Sequence, residues 1–72
     1  MKTLLRCRRT RCYLQGEEQW TLDRALARDF GSGPQAIQFV MSRKMDGVEL
    51  VLAFDDPQYD ISLPLAGLGG NR

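Results

Sequence analysis

Cys7 and Cys12 are the only thiols in a chain of 72 residues that contains no histidine. Two sulfurs at this spacing can be oxidised to one another, or supply half the ligands of a structural zinc ion. With no histidine and no further cysteine, such a zinc site would need a second chain, and neither a metal nor another cofactor is expected. The missing histidine also removes the commonest general base and every Ser-His or Cys-His nucleophile. Neighbouring arginines lower a thiol pKa, which suits redox sensing where a sulfur reaches solvent. The plainer reading is a pair of small hydrophobes on the core face.

Arg6, Arg8, Arg9, Arg11 and Tyr13 form the second constellation. Guanidinium groups pair with phosphates and carboxylates, and an exposed tyrosine stacks on a base. Residues 1–11 hold five cations and no acid, whereas residues 12–72 hold five basic and nine acidic side chains, a split of +5 against −4 within a net charge of +1. That polarity steers an anionic partner to the N-terminal end, or lets the basic end of one copy meet the acidic end of another. Against it stands a solvated strand face whose like charges discourage aggregation. Arg8 and Arg11, facing each other across a hairpin, repel unless something anionic lies between them.

Other chemistry-bearing residues read as structure. Asp55, Asp56 and Asp60 are hard-metal ligand types, but the spaced array with a central Gly and a terminal Glu is absent, so they belong to a turn around Pro57. Gly31-Ser32-Gly33 precedes a helical pattern without the Lys-[Ser/Thr] of a phosphate loop, which leaves Ser32 as a helix cap. Trp20, the single tryptophan, caps a small core or anchors a partner. No catalytic residue is assigned, and the chain is not expected to be an enzyme.

Elements must position these side chains. Residues 2–16 alternate as a β-hairpin with Arg6 opposite Tyr13, Cys7 opposite Cys12 across a non-hydrogen-bonded pair, and a two-residue or four-residue loop. Leu5, Cys7, Cys12 and Leu14 then face the core, and Arg6, Arg8, Arg11 and Tyr13 the opposite side. Thr21 caps a short helical turn through about residue 27, with Leu22, Ala25 and Leu26 inward. The main helix spans residues 33–44 behind Ser32, carries Ala36, Ile37, Phe39, Val40 and Met41 on its apolar face, and ends at Asp46-Gly47. Residues 48–54 alternate as an interior strand with Leu50, Leu52 and Phe54 on one face. Residues 59–63 return with Tyr59, Ile61 and Leu63 inward. The expected fold is α+β, an antiparallel four-stranded sheet in ββαββ order with one helix on one face; residues 1–65 form the domain and residues 66–72 a flexible Gly-rich tail.

The pattern Tyr13-x-Gln15-Gly16, Trp20-Thr21, Asp29-Phe30-Gly31-Ser32, Val48-Glu49-Leu50-Val51, Phe54-Asp55-Asp56-Pro57-x-Tyr59-Asp60 and Leu63-Pro64-Leu65 resembles a group of small uncharacterised bacterial proteins. The resemblance implies the same small fold and a bacterial setting, and carries no activity, cofactor or site residues. It departs at the first turn, where a Gly-containing loop would be expected and Arg8-Arg9-Thr10-Arg11 stands.

Arg6 interrupts the apolar stretch that opens the chain, and the longest charge-free run, residues 30–42, contains two glycines, a proline and two glutamines. Neither can serve as a signal core or a membrane span, so a cytoplasmic protein is expected. A domain this short buries only about 60% of the surface its unfolded chain exposes, and a partner would add stability. The functional expectation is a non-enzymatic interaction module that binds a protein partner or itself. The alternative is nucleic-acid binding through Arg6, Arg8, Arg9, Arg11 and Tyr13.

Overall fold

The computed structural model, which describes residues 1–65, contains strands β1 (Lys2–Cys7), β2 (Tyr13–Leu14), β3 (Trp20–Thr21), β4 (Val48–Ala53) and β5 (Ile61–Pro64), helix α1 (Gly33–Arg43), and 3-10 turns at Arg24–Leu26 and Pro57–Tyr59. The strands form one antiparallel sheet in the order β3-β2-β1-β4-β5. The α+β class, the antiparallel sheet and the single helix are as expected; the expected tail lies outside the described residues. The sheet has five strands rather than four, and the element order is βββαββ. The added strand arises because the chain turns back after β2, with Leu14 opposite Trp20 and the Gln15 N–H on the Gln19 carbonyl at 2.7 Å. Two residues are too few for alternation to announce a strand.

The β1–β2 hairpin has the four-residue loop. Arg11 takes a left-handed conformation (φ 67°) and donates its N–H to the Cys7 carbonyl at 2.8 Å, while Cys7 donates to the Cys12 carbonyl at 2.7 Å. Cys7 and Cys12 are therefore joined by a backbone hydrogen bond, a correction to the non-bonded pairing expected, and such a pair holds its Cα atoms about 5.5 Å apart rather than about 4.5 Å.

Ser32 caps α1 as expected, its extended backbone placing Oγ 3.3 Å from the Gln35 N–H, with Pro34 in the first turn. The helix ends earlier than Asp46-Gly47, because Lys44 adopts φ 52° and returns its N–H to the Met41 and Val40 carbonyls. Ala36 and Val40 pack with Leu5, Leu14, Phe30, Val48 and Leu50 to form the core between helix and sheet. An α-helix is about 10 Å across and strands lie about 4.8 Å apart, so one helix covers about two strands of five. Here it lies over β1 and β4.

That geometry overturns three placements. Ile61 and Leu63, on an edge strand beyond the helix, are 47% and 45% exposed. Tyr59 belongs to the turn that Pro57 opens and Asp56 caps, and is exposed. Phe54 lies past the end of β4 and is exposed as well. Nor is Thr21 the cap of the earlier turn: Asp23 Oδ1 accepts from the Ala25 N–H at 2.9 Å, and Leu22, Ala25 and Leu26 face solvent.

The sheet face away from α1 is also less open than one helix would leave it. Leu4, Tyr13, Val51 and Ala53 form a second buried cluster there, and Ala27 packs on it. From that face the chain returns to the helix side along the free flank of β1. Arg28 donates to the Leu14 carbonyl at 2.9 Å, Phe30 donates to the Thr3 carbonyl at 2.8 Å, and Asp29 Oδ1 accepts from the Thr3 and Gly31 N–H groups. Backbone groups that the two-residue β2 leaves unpaired are satisfied by this passage.

Candidate functional site

Of the five residues Arg6, Arg8, Arg9, Arg11 and Tyr13, the fold gathers three around one carboxylate. Arg6 and Glu49 are direct neighbours across β1 and β4, and the Arg6 Nε lies 2.6 Å from Glu49 Oε2. An Arg11 guanidinium nitrogen approaches the same oxygen at 3.3 Å, and Arg6 also donates to the Tyr13 hydroxyl at 3.3 Å with its guanidinium carbon 5.6 Å from the ring centre. Burial works against the Arg6 charge, but hydrogen bonds to Glu49 and Tyr13 outweigh it and raise the guanidinium pKa above its ordinary value. Glu49 of the same chain thus supplies an anion to Arg6 and Arg11, but not to Arg8, the residue expected to face Arg11.

Arg8 and Arg9 are left at the exposed hairpin tip, without an acidic partner among the described residues. The Arg8 N–H bonds to the Gly47 carbonyl at 2.9 Å, which ties the tip to the turn that follows α1 and sets Arg8 and Arg9 at the same end of the molecule as Lys44. Asp55, Asp56 and Asp60 lie at the opposite end, in the β4–β5 connection. Lys2, opposite Ala53 in the β1–β4 register, and Arg24, bound to Asp60, stand at that acidic end, so the charge split along the sequence is only partly a split between the two ends.

Cys7 and Cys12 are free and half-buried, at the rim of the helix-bearing face rather than inside the core cluster. Hydrogen bonding from the Thr10 side chain, helped by its backbone, lowers the Cys7 thiol pKa; desolvation opposes this, and Arg9 adds a smaller electrostatic contribution. Among the described residues no three His, Cys, Asp or Glu side chains gather as a metal site requires.

Asp60 accepts from Arg24 Nε at 2.6 Å and from a second Arg24 nitrogen at 2.8 Å, and takes the Phe54 N–H at 2.9 Å; Arg24 also donates to the Phe54 carbonyl. This bidentate clamp ties the 3-10 turn at Arg24–Leu26 to the β4–β5 connection. Sequence reading missed it, since nothing in the spacing of residues 24 and 60 relates them. On the other flank of the helix, Phe30 and Phe39 pack at 5.1 Å between centroids, and the Arg28 guanidinium covers both rings at 4.6 and 5.1 Å. With Asp29, Gln35 and Ser42 these residues line an open cleft of about 390 Å³. Trp20, 40% exposed, borders another opening beside Glu17, Arg43 and Met45 rather than sealing the core.

No protein family matches the chain, no curated protein matches it, and no solved structure matches it.

The remaining surface of note is apolar. Ile61 and Leu63 stand opposite Leu52 and Leu50 and so share the helix-bearing face. On α1, Ile37 and Met41 lie on the flank opposite Phe39, by the 100° step of a helix. Phe39 and Arg43 face the β2–β3 side, where Phe30 and Glu17 meet them. Ile37 and Met41 therefore flank the β5 side. No helix among the described residues is long and apolar enough to cross a membrane.

Proposed function

We propose that this chain is a non-enzymatic protein-interaction module whose contact surface is β5, the turn before it and the adjoining flank of α1. The observation that carries the reading is the exposure of Ile61 and Leu63, neighbours on the helix-bearing face of the edge strand, with Met41 exposed on the helix flank that adjoins it. Contiguous apolar surface of this kind marks association sites in small soluble domains. The strand edge itself is a poor template. Leu65 turns its N–H to the Val48 carbonyl of β4, so by alternation Ile61 and Leu63 also point their backbone groups inward. Ser62 and Pro64 point outward, and Pro64 has no N–H to give. Recognition falls to side chains rather than to strand addition.

Nucleic-acid binding is the second reading, and the exposed, unpaired Arg8 and Arg9 favour it. Arg6 and Arg11 support it less, being already held by Glu49. The test immobilises the full chain and an Ile61→Glu/Leu63→Glu variant and exposes both to cell extract, with and without nuclease. A partner retained by the parent, lost by the variant and indifferent to nuclease supports the module. Material that survives the double substitution but vanishes on nuclease treatment or on Arg8→Ser/Arg9→Ser supports the second reading and overturns the first.

A further inference from the structure

We propose that Cys7 and Cys12 form a reversible modification site, closed to an intrachain disulfide by a hydroperoxide and reopened by a dithiol, with Cys7 the sulfur that reacts first. The site is separate from the contact surface proposed above, and either can stand without the other.

The hairpin sets the two cysteines against each other. Cys7 donates its N–H to the Cys12 carbonyl at 2.7 Å, and its own carbonyl accepts the N–H of the left-handed Arg11 at 2.8 Å. Arg11 and Cys12 thus oppose Cys7 together, the arrangement of a β-bulge. Alternation from Leu5 and Leu14, both in the core beneath α1, puts the two cysteines on the same face. A hydrogen-bonded pair holds its Cα atoms about 5.5 Å apart, inside the span that a disulfide bridges. Both side chains are half-buried and lie outside the packed cluster, so a small solute reaches them.

Thr10 distinguishes the two sulfurs. Its hydroxyl oxygen accepts the Cys12 N–H at 3.3 Å, which leaves the single hydroxyl proton for the Cys7 sulfur. That bond, with help from the Thr10 backbone, favours the Cys7 thiolate; burial opposes it, and Arg9 adds a smaller contribution through its backbone and its charge. Reactive thiols sit in partly exposed, electropositive surroundings of this kind.

The Cys7 thiolate attacks the peroxide oxygen, forming an S–O bond as the O–O bond breaks, and the departing oxygen takes up the thiol proton as water or an alcohol. Cys7 is then a sulfenic acid, oxidised by two electrons. Cys12 attacks this sulfur; the S–S bond forms, the S–O bond breaks, and the hydroxyl leaves as water with the Cys12 proton. A bridge wants its Cβ atoms about 3.8 Å apart, whereas directly opposed residues hold them about 4.5–5.5 Å apart. Closure therefore draws the strands together at the bulge, and a bond under such tension is readily reduced by a dithiol, which returns the two electrons and two protons.

The experiment treats the reduced full chain at low micromolar concentration with hydrogen peroxide and follows intact mass and peptide maps. The expected product is a monomer lighter by two hydrogen atoms, bridged between Cys7 and Cys12 and restored by dithiothreitol. Before oxidation, iodoacetamide should alkylate Cys7 about tenfold faster than Cys12, a preference that vanishes in urea. Neither measurement needs a variant. In Cys12→Ser, dimedone should trap the sulfenic acid on Cys7. Thr10→Val should slow Cys7 alkylation about fivefold while Thr10→Ser stays close to the parent, with far-UV dichroism confirming that each variant is folded. A native chain that forms no intrachain bridge, or bridges only between copies, overturns the proposal. So does alkylation of the folded chain that is equal at the two thiols or faster at Cys12, and so does a folded Thr10→Val variant as reactive as the parent.

Discussion

Arg6 and Glu49 face each other in direct register across β1 and β4, with 2.6 Å between Nε and Oε2, and both side chains are largely withdrawn from water, 13% and 8% exposed. Desolvation makes such a pair costly to form and more costly to break. Glu49→Ala should therefore destabilise by about 3–5 kcal/mol, since it strands the Arg6 guanidinium. The double variant Arg6→Met/Glu49→Leu should recover most of that loss. Urea denaturation midpoints of the two variants and the parent check this, and equal losses in both would mean the pair's desolvation is negligible.

Arg11 occupies a left-handed position at φ 67°, where a glycine carries no Cβ penalty. Its contact with Glu49 is 3.3 Å long and its side chain is 62% exposed, so that contact adds little. Arg11→Gly is expected to raise stability by up to about 1 kcal/mol. Arg8→Ser/Arg9→Ser should leave stability within about 0.5 kcal/mol of the parent. Thermal denaturation separates the two cases. A glycine variant less stable than the parent would show that the second guanidinium on Glu49 outweighs backbone strain.

Asp60 is held below the ordinary carboxylate pKa chiefly by hydrogen bonds from Arg24; burial opposes the shift, and the Phe54 N–H adds to it. Asp29 is lowered in the same direction by the Thr3 and Gly31 N–H groups. A depressed folded pKa means the stabilisation is complete above the unfolded value, about 3.9, and disappears as pH falls through the lower folded value. Asp60→Asn should cost about 1–3 kcal/mol near neutral pH and lose less on further acidification than the parent does. Parallel urea titrations at neutral and acidic pH give both quantities, and identical acid slopes would exclude Asp60 as a source of the pH dependence.

Leu5 is fully buried in the core beneath α1. Leu5→Ala should cost about 2–5 kcal/mol, enough to unfold a domain of this size at moderate temperature. Phe54→Ala should fall well short of the about 3–5 kcal/mol that a buried phenylalanine costs. Comparing the two denaturation midpoints checks the placement of Phe54 outside the core.

The sequence by itself determined the elements whose signals are local. Ser32 with Gln35 three residues on sets the start of α1, alternation places Arg6 opposite Tyr13, and apolar residues on both faces of 48–53 mark an interior strand. That Arg6, Arg11 and Tyr13 share the sheet face away from the core was readable as well. Which acid those arginines meet was not, because a contact between residues 6 and 49 depends on the β1–β4 register rather than on spacing along the chain. The same limit hid the clamp between Arg24 and Asp60, and the return of the chain over Leu4 and Val51. Ile61 and Leu63 show the limit most clearly. Alternation correctly placed them on the helix-bearing face, but burial depends on whether the helix extends over that strand, and one helix is too narrow to reach the edge of a five-stranded sheet. Only the tertiary arrangement turned two expected core residues into exposed surface.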